Sequence, residues 1–461
     1  MFSWVALFAC VFPVVIGTST NSDFYGRCAG TAYANKRSVA VDSQGRIHVV
    51  WDGGSDILYS FSDDSGNIWS TPLNISNTPG EDENPSISIS PGDTLNVVWS
   101  GDVGNGMDIL MRRYYSQWLG IDTISSSSAE EEFVSQTIGK NGDINVVWTK
   151  YSGSQNSIVY SKREGVAWTS PFVVDEGQYA NFPAISVDTL GNIYVFWSKY
   201  LVFSSDVFVR KYTASTHIWG NITNISRSNN AQCRCPSSII CSDNYPAVVY
   251  DSDEGSGDIS YNIYLAKYNG SNWVKENVSE QANCKAIWGH IVKNMSGNLF
   301  VFWMSNLTGN YDVYLRKKSF AQWDSIINIS NSPENSGYPN TQSLVNQQIP
   351  LIWTEGDSIP YDIMHDKLET GSGVKEGHSE GIIKVSPGIL FSGTKLTINL
   401  SEGNQKVTIY DIEGRIVSVI KCERKVERKS LKELFGKEKI RNGIFFLKNE
   451  KGFSDKIVVI E

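Results

Sequence analysis

Asn96-Val97-Val98-Trp99 closes a short apolar run, and the figure returns along the chain. It recurs as His48-Val49-Val50-Trp51, Asn145-Val146-Val147-Trp148, Tyr194-Val195-Phe196-Trp197, Phe300-Val301-Phe302-Trp303 and Pro350-Leu351-Ile352-Trp353, with Ala247-Val248-Val249-Tyr250 in the fifth place. A second set, Trp69, Trp118, Trp168, Trp219, Trp273 and Trp323, follows the first by 18 to 23 residues. A period of about 50 residues signals a propeller or solenoid.

Each unit divides into four strand-like pieces. The first alternates and follows Pro or a turn, as in Ser38 to Asp42, Pro85 to Ser90 and Pro183 to Asp188. The second is the run ending in Trp, whose Val and Phe content and brevity fit a buried strand. The third opens on Asp56, Asp108, Asp206, Asp312 or Asp362, and the fourth ends in Asn-Ile-Ser at Asn74, Asn224 and Asn328. Four short antiparallel strands make one propeller blade. A blade cannot cover both its faces alone, so neighbours must stack on it. Seven members of the first set predict an all-β fold with a seven-bladed β-propeller. Six blades plus a divergent unit, or an open arc, are the alternatives. The last unit stops after its third piece, and residues 21–37 are expected to supply the missing strand.

Composition agrees with a turn-rich β-protein: aromatic residues make up 12% and charged residues 19% of the 461-residue chain, below the usual quarter. Residues 1–20, apolar and then small and polar, read as a secretory signal peptide, so the chain is expected to be exported. No later stretch approaches ~18 apolar residues, and no transmembrane segment is expected. Residues 1–381 carry 24 Lys and Arg against 39 Asp and Glu, whereas residues 382–461 carry 16 against 10. The shift marks a boundary. It divides a propeller over 21–366 and a linker over 367–381 from a small C-terminal β-sandwich over 382–461. The acidic part argues against a nucleic-acid partner.

Two stretches carry family resemblances. Ser62-Asp63-Asp64-Ser65-Gly66-Asn67-Ile68-Trp69 is similar to the Asp-box of sialidase-like propellers. The resemblance implies a structural turn built on Ser62, Asp64, Gly66 and Trp69, remote from catalysis. Val407-Thr408-Ile409-Tyr410-Asp411-Ile412-Glu413-Gly414-Arg415, Asn442-Gly443-Ile444-Phe445-Phe446 and Lys456-Ile457-Val458-Val459-Ile460 together resemble the C-terminal sorting domain of the type IX (Por) secretion system. This implies that outer-membrane secretion machinery engages residues 382–461, and that the protein is released or held at the cell surface. Val385-Ser386-Pro387-Gly388 stands where that family opens on Tyr-Pro-Asn-Pro.

Strand alternation places the loops from strand four to one and from strand two to three on one face. That face carries Glu81-Asp82-Glu83, Glu130-Glu131-Glu132, Asp175-Glu176 and the acids of 251–258. Its tyrosines include Tyr151, Tyr179, Tyr200, Tyr311, Tyr338 and Tyr361. The binding candidates are Tyr151, Tyr179, Tyr200, Tyr311, Tyr361, Asp253 and Glu254, facing a glycan or protein ligand. Residues shared by nearly every unit belong to the scaffold, so the strand-three aspartates are hydrogen-bonding residues, with a Ca2+ ring as the functional alternative. Arg112, Arg210 and Arg316 share one slot and read as exposed blade positions. An enzymatic sialidase would show Arg-Ile-Pro early, which is absent; no catalytic residue is assigned. With no His-x-x-x-His, no metal site is assigned either. In an exported protein Cys284 is expected to pair with Cys233 or Cys235, and Cys28 is a possible partner of Cys241. The expected function is a non-catalytic glycan- or protein-binding propeller. The alternatives are a sialidase-like glycoside hydrolase and a structural adhesion component.

Overall fold

The inner ladders of the repeat determine the architecture. The computed structural model describes residues 13–21, 31 and 38–369, except 105, 178, 229, 258, 320, 321 and 343–347, and the strands lying between 383 and 460. All its regular elements are β-strands. Seven antiparallel sheets form the seven blades of a β-propeller, six of them laid down in chain order from the inner to the outer strand and the seventh taking its outer strand from Val14–Ser19. Blade 2 runs Asp82–Ser90, Thr94–Asp102, Met107–Tyr115 and Gln117–Ser125. Strand two of each blade is buried on both faces, which is why it reads as a continuous apolar run.

Trp51, Trp99, Trp148, Trp197, Trp303 and Trp353 are fully buried, and each belongs to an apolar cluster shared by two adjacent blades. Seven such clusters fill the seven seams. Burying ~200 Å² of indole stabilises by up to about 5 kcal/mol. The second-set tryptophans close the outer edge of six seams. Trp118 packs edge-on to Tyr59 of the preceding blade at 5.1 Å and 82°, and Trp219 to Tyr160 at 5.3 Å and 71°. The seam between blades 6 and 7 has Trp353 without a second-set partner, as the missing repeat member requires.

The ring closes through Val14–Ser19, which pairs antiparallel with Tyr361–Glu369 as the outer strand of blade 7. This corrects the expectation that residues 21–37 close the ring, and it places the closing strand inside the segment read as a signal peptide. The physical reason is composition: Val14-Val15-Ile16 can cover an apolar sheet edge, and the polar 21–37 stretch cannot. Ile16 enters the seam between blades 7 and 1. Trp51 Nε1 donates to the Thr18 carbonyl at 3.0 Å. Most of 21–37, Cys28 included, lies outside the described residues. Thr31 is placed, and its amide donates to Thr354 Oγ1 at 3.0 Å.

Strand one starts earlier than the prolines suggest. Asp82–Ser90 and Ala180–Val187 run through Pro85 and Pro183. Proline survives there because the ladder skips it, as at any β-bulge.

Residues 372–461 form a second compact unit. It has a three-stranded sheet, Ile383–Ser386, Lys395–Leu400 and Val426–Ser430, and a five-stranded one that includes Gln405–Tyr410 and Gly443–Asn449. The division falls in the expected linker, although 367–369 still belong to the last propeller strand.

Candidate functional site

The inner strands of blades 2 to 7 share one irregularity. Each skips two residues in its ladder: Asn84-Pro85, Phe133-Val134, Phe182-Pro183, Cys235-Pro236, Trp288-Gly289 and Tyr338-Pro339. The first member of each pair is left-handed, with φ between 53° and 60°. These bulges bring side chains together around the axis at the loop face expected to bind. Phe133 meets Phe182 edge-on at 5.1 Å, and Trp288 lies 5.5 Å from Tyr338. Cys235 packs with Phe133, Phe182 and Trp288. The result is an aromatic collar across the axis. Neighbouring blades hold it: Ser198 Oγ accepts the Cys235 amide at 3.1 Å, and Asp251 accepts the Trp288 amide. Further along the axis lies a cavity of about 260 Å³ lined by Ser135, Thr137, Ser186, Ser237, Ser238 and His290. There His290 Nε2 contacts the Thr341 carbonyl at 2.8 Å, so Nε2 carries the proton and Nδ1 accepts the Ser237 hydroxyl at 3.4 Å.

The expected binding residues divide between collar and rim. Tyr361 is buried, and Tyr311 half-buried, beside Tyr338 and Met304. Tyr151 leans on Phe133 and donates its hydroxyl to Asn181 Oδ1 at 3.0 Å. Tyr179 and Tyr200 stay open, 51% and 38% exposed, and are tied together by a backbone bond from Tyr200 N to Tyr179 O. Asp253 is buried; its Oδ1 accepts the Gln232 and Gly255 amides at 2.7 and 3.0 Å and braces a loop. Glu254 accepts the Tyr264 hydroxyl.

The face is less acidic than its sequence. Asp82, Glu131, Asp175, Asp251 and Asp253 are all buried. Asp82 Oδ1 accepts Trp99 Nε1 at 2.7 Å and Asp175 Oδ2 accepts Trp197 Nε1 at 2.9 Å. Opposite these acids stand cations that sequence reasoning missed. Lys199 pairs with Asp175 at 3.0 Å, Lys150 with Glu131 at 3.5 Å and Arg234 with Asp251 at 3.5 Å.

Arg234 is the most informative of them. Its guanidinium stacks 4.6 Å over the Tyr261 ring, and Lys285 Nζ lies 5.9 Å from the same ring. Burial opposes the charge, but Asp251, with Cys235, Tyr261 and Tyr200 adding to it, holds the guanidinium pKa well above its ordinary value. Burial pushes the Asp251 carboxyl up to about 6 against the pull of Arg234. Both directions hold: the pair is ionic at neutral pH, and the deeper partner, Asp251, discharges first. Tyr179, Tyr200 and the 82% exposed Phe203 flank this corner across blades 4 to 6. The signal available in the sequence was Arg234 itself, a cation at the bulge position where blades 2 and 3 have Glu83 and Glu132.

The repeated polar residues are scaffold. Asp206 Oδ1 accepts Ser226 Oγ and the Ser228 amide, and its Oδ2 accepts Asn224 Nδ2 at 2.8 Å. Asp312 repeats this with Ser330, Ser332 and Asn328. The Asn-Ile-Ser motif is therefore a latch between strands three and four. Arg112, Arg210 and Arg316 correct the expectation of exposed positions: each donates to a carbonyl of the preceding blade, at Ile75, Val174 and Val278, and lies over its own second-set Trp. At 62–69, Asp64 Oδ1 accepts the Ile68 amide at 2.8 Å and Ser62 Oγ accepts the Gly66 amide at 2.9 Å, bracing the turn that seats Trp69. Cys233, Cys235, Cys241 and Cys284 are buried and not joined in a disulfide, which corrects the expected pairing of Cys284. Cys233 packs in the seam of blades 4 and 5 and Cys235 in the collar, while Cys284 Sγ sits near Gln281 and Ser305.

No known protein-family profile matches the chain, and no curated protein is similar to it in sequence. Solved structures do share the fold. An ulvan lyase of polysaccharide lyase family PL25, bound to -[GlcA(1-4)Rha3S]-, superposes with a TM-score of 0.59 at 12% identity, over 77% of this chain and 95% of that one. A second polysaccharide lyase gives 0.52 at 8% identity over 78% and 94%. A protein of unknown function from Dyadobacter fermentans gives 0.51 at 13% over 79% and 99%. These likenesses establish the seven-bladed propeller and extend no further than the fold.

Proposed function

We propose that this propeller binds an acidic polysaccharide at the corner formed by Arg234, Lys285, Tyr179, Tyr200 and Phe203. The observation that carries this reading is Arg234, stacked on Tyr261 at 4.6 Å beside open aromatic rings. Tyrosine faces stack on sugar rings, and a guanidinium recognises carboxylate or sulfate with two parallel donors. The fold neighbours that act on polysaccharide, one of them holding a GlcA-containing chain, support it. Delivery to the cell surface by residues 382–461 and export from the cell belong to the same proposal.

A second reading, cleavage of the bound chain, is favoured by Tyr200 lying within electrostatic reach of Arg234. A cation that neutralises a uronate carboxylate makes the neighbouring C5–H acidic; with the Tyr200 oxygen as the base that takes this proton, the electron pair forms the C4–C5 double bond and the glycosidic oxygen leaves C4, taking a proton from solvent. The sialidase-like hydrolase and the structural adhesion role have no such observation behind them.

The test is calorimetric titration of the full chain with uronate-containing, sulfated and neutral oligosaccharides. Saturable binding of the acidic ligands is expected, weakened at least tenfold by Arg234→Ala and by Tyr200→Ala. Equal affinity for neutral ligands, or binding indifferent to Arg234→Ala, would sink the proposal. Growth of the ultraviolet absorbance of an unsaturated uronate would promote the cleavage reading.

A further inference from the structure

The seam between blades 2 and 3 breaks the latch rule. Asp206 and Asp312 have both carboxylate oxygens occupied by donors of their own blade. In blade 2 the latch asparagine is replaced by Thr123. Asp108 Oδ1 still accepts the Ser127 amide at 3.1 Å. The Ser125 hydroxyl, however, donates to Glu131 Oε1 of blade 3 at 3.0 Å, and Ser127 Oγ reaches the same oxygen at 3.3 Å. Ser127 thus bridges two carboxylates. Both side chains are fully buried, and Asp108 Oδ2 and Glu131 Oε2 have no hydrogen-bond partner. At the position of Glu131 the later blades place Ala180, Cys233, Ala286 and Ser336.

Of these two buried carboxylates, Glu131 has an ammonium beside it, that of Lys150, whose side chain is 32% exposed and 3.5 Å from Glu131 Oε1. An unsatisfied buried polar group costs about 1–3 kcal/mol, more when charged. Trp148 Nε1, also unpaired in blade 3, can take at most one of the two open oxygens. One residue nearer the rim, Glu130 Oε2 accepts the Met107 amide at 2.8 Å. Met107 and Glu130, each next in sequence to one of the two carboxylates, line an acidic cavity together with Glu81 and Asp102.

We infer that Asp108 and Glu131 anchor a hard divalent cation, Ca2+, at this seam. Ser125 and Ser127 hydroxyls and water from the acidic cavity complete an all-oxygen shell, the coordination Ca2+ prefers. Among the described residues no three ligand-type side chains converge, so the site is a two-carboxylate one. It joins two blades, and its occupancy couples ring stability to cation concentration.

The experiment uses the full chain stripped with chelator. Ca2+ is titrated by calorimetry, and Tb3+ by luminescence excited through the nearby Trp148. One saturable site per chain is expected, with Tb3+ emission displaced by Ca2+ and a melting temperature that rises with Ca2+. Asp108→Asn and Glu131→Gln should each lower affinity at least tenfold, while Asp206→Asn leaves it unchanged. Should the buried variants fail to fold, Glu130→Gln at the rim is expected to weaken binding several-fold in a folded protein. Non-saturable heats, or affinity unchanged in Glu131→Gln or in Glu130→Gln, would overturn the inference. So would a stripped Asp108→Asn protein that melts higher than wild type while wild type ignores Ca2+, since that marks a shared proton in place of a metal.

Discussion

Asp366 occupies in blade 7 the ladder position that holds Arg112, Arg210 and Arg316 in blades 2, 4 and 6. It is buried, and burial raises its carboxyl pKa to about 7. The folded chain therefore holds this proton more tightly than the unfolded one, whose carboxyl titrates near ~3.9. Its contribution to stability is largest below the unfolded pKa and is lost as pH rises through about 7. The melting temperature should fall between pH 5 and pH 8, and Asp366→Asn should remove much of that slope, stabilising at pH 8 by a few kcal/mol, on the order of ~1.4 per pKa unit. An unchanged slope in the variant would assign it elsewhere. Asp251, pushed up to about 6, has the same sign and a consequence for binding. Below that value it discharges and leaves Arg234 an uncompensated cation. Affinity for an acidic oligosaccharide should rise from pH 7.5 to pH 5, and Asp251→Asn should show the tighter affinity at both. None of these environments could be read from the residues' names. Arg234 looks like any arginine in the sequence, and the ring that receives it, Tyr261, comes from a different strand and a long loop.

At the scale of the element, the strands and their order were legible because the ladder period is written in alternation and in Trp placement. The bulges were not. A proline in the first piece reads as a strand boundary, whereas the ladder steps over Pro85, Pro183, Pro236 and Pro339 and continues. The step turns Phe133, Phe182, Trp288 and Tyr338 toward the axis. The arginine slot shows the same limit. Period alone marks Arg210 as scaffold, but only the packed blades show it donating to Gly220 O at 2.8 Å and Val174 O at 2.6 Å. Arg210→Ala should cost about 1–3 kcal/mol in urea denaturation. Arg210→Lys should cost nearly as much, because a single ammonium cannot hold both carbonyls and the Trp219 face. Full rescue by lysine would reduce the staple to a charge effect.

For the whole molecule, closure is the decisive event. Six seams form between chain neighbours; the seventh, between blades 7 and 1, is completed by Ile16 of Val14–Ser19, the strand that pairs with Tyr361–Glu369 at the far end of the propeller. Gly17 packs so closely on Trp51 that a Cβ there would lie 2.4 Å from the indole. A chain beginning at residue 13 should melt as the full-length protein does. One beginning at residue 21 should melt several degrees lower, with Trp51 emission shifted to the red and blade 7 cut first by protease. Equal melting of the two would show that the edge of blade 7 needs no covering strand.

The amino-acid sequence by itself determined the blade, its number and its seams, because period, alternation and tryptophan placement are local properties that repetition amplifies. It also marked which polar residues are scaffold, since a residue shared by every unit serves what every unit shares. Only the tertiary structure decided which segment closes the ring, which acids are buried and which cation stacks on a buried ring beside the exposed tyrosines. Those outcomes depend on distant strands meeting, where a bulge of two residues or one unmatched carboxylate changes the environment of a side chain without changing the pattern around it.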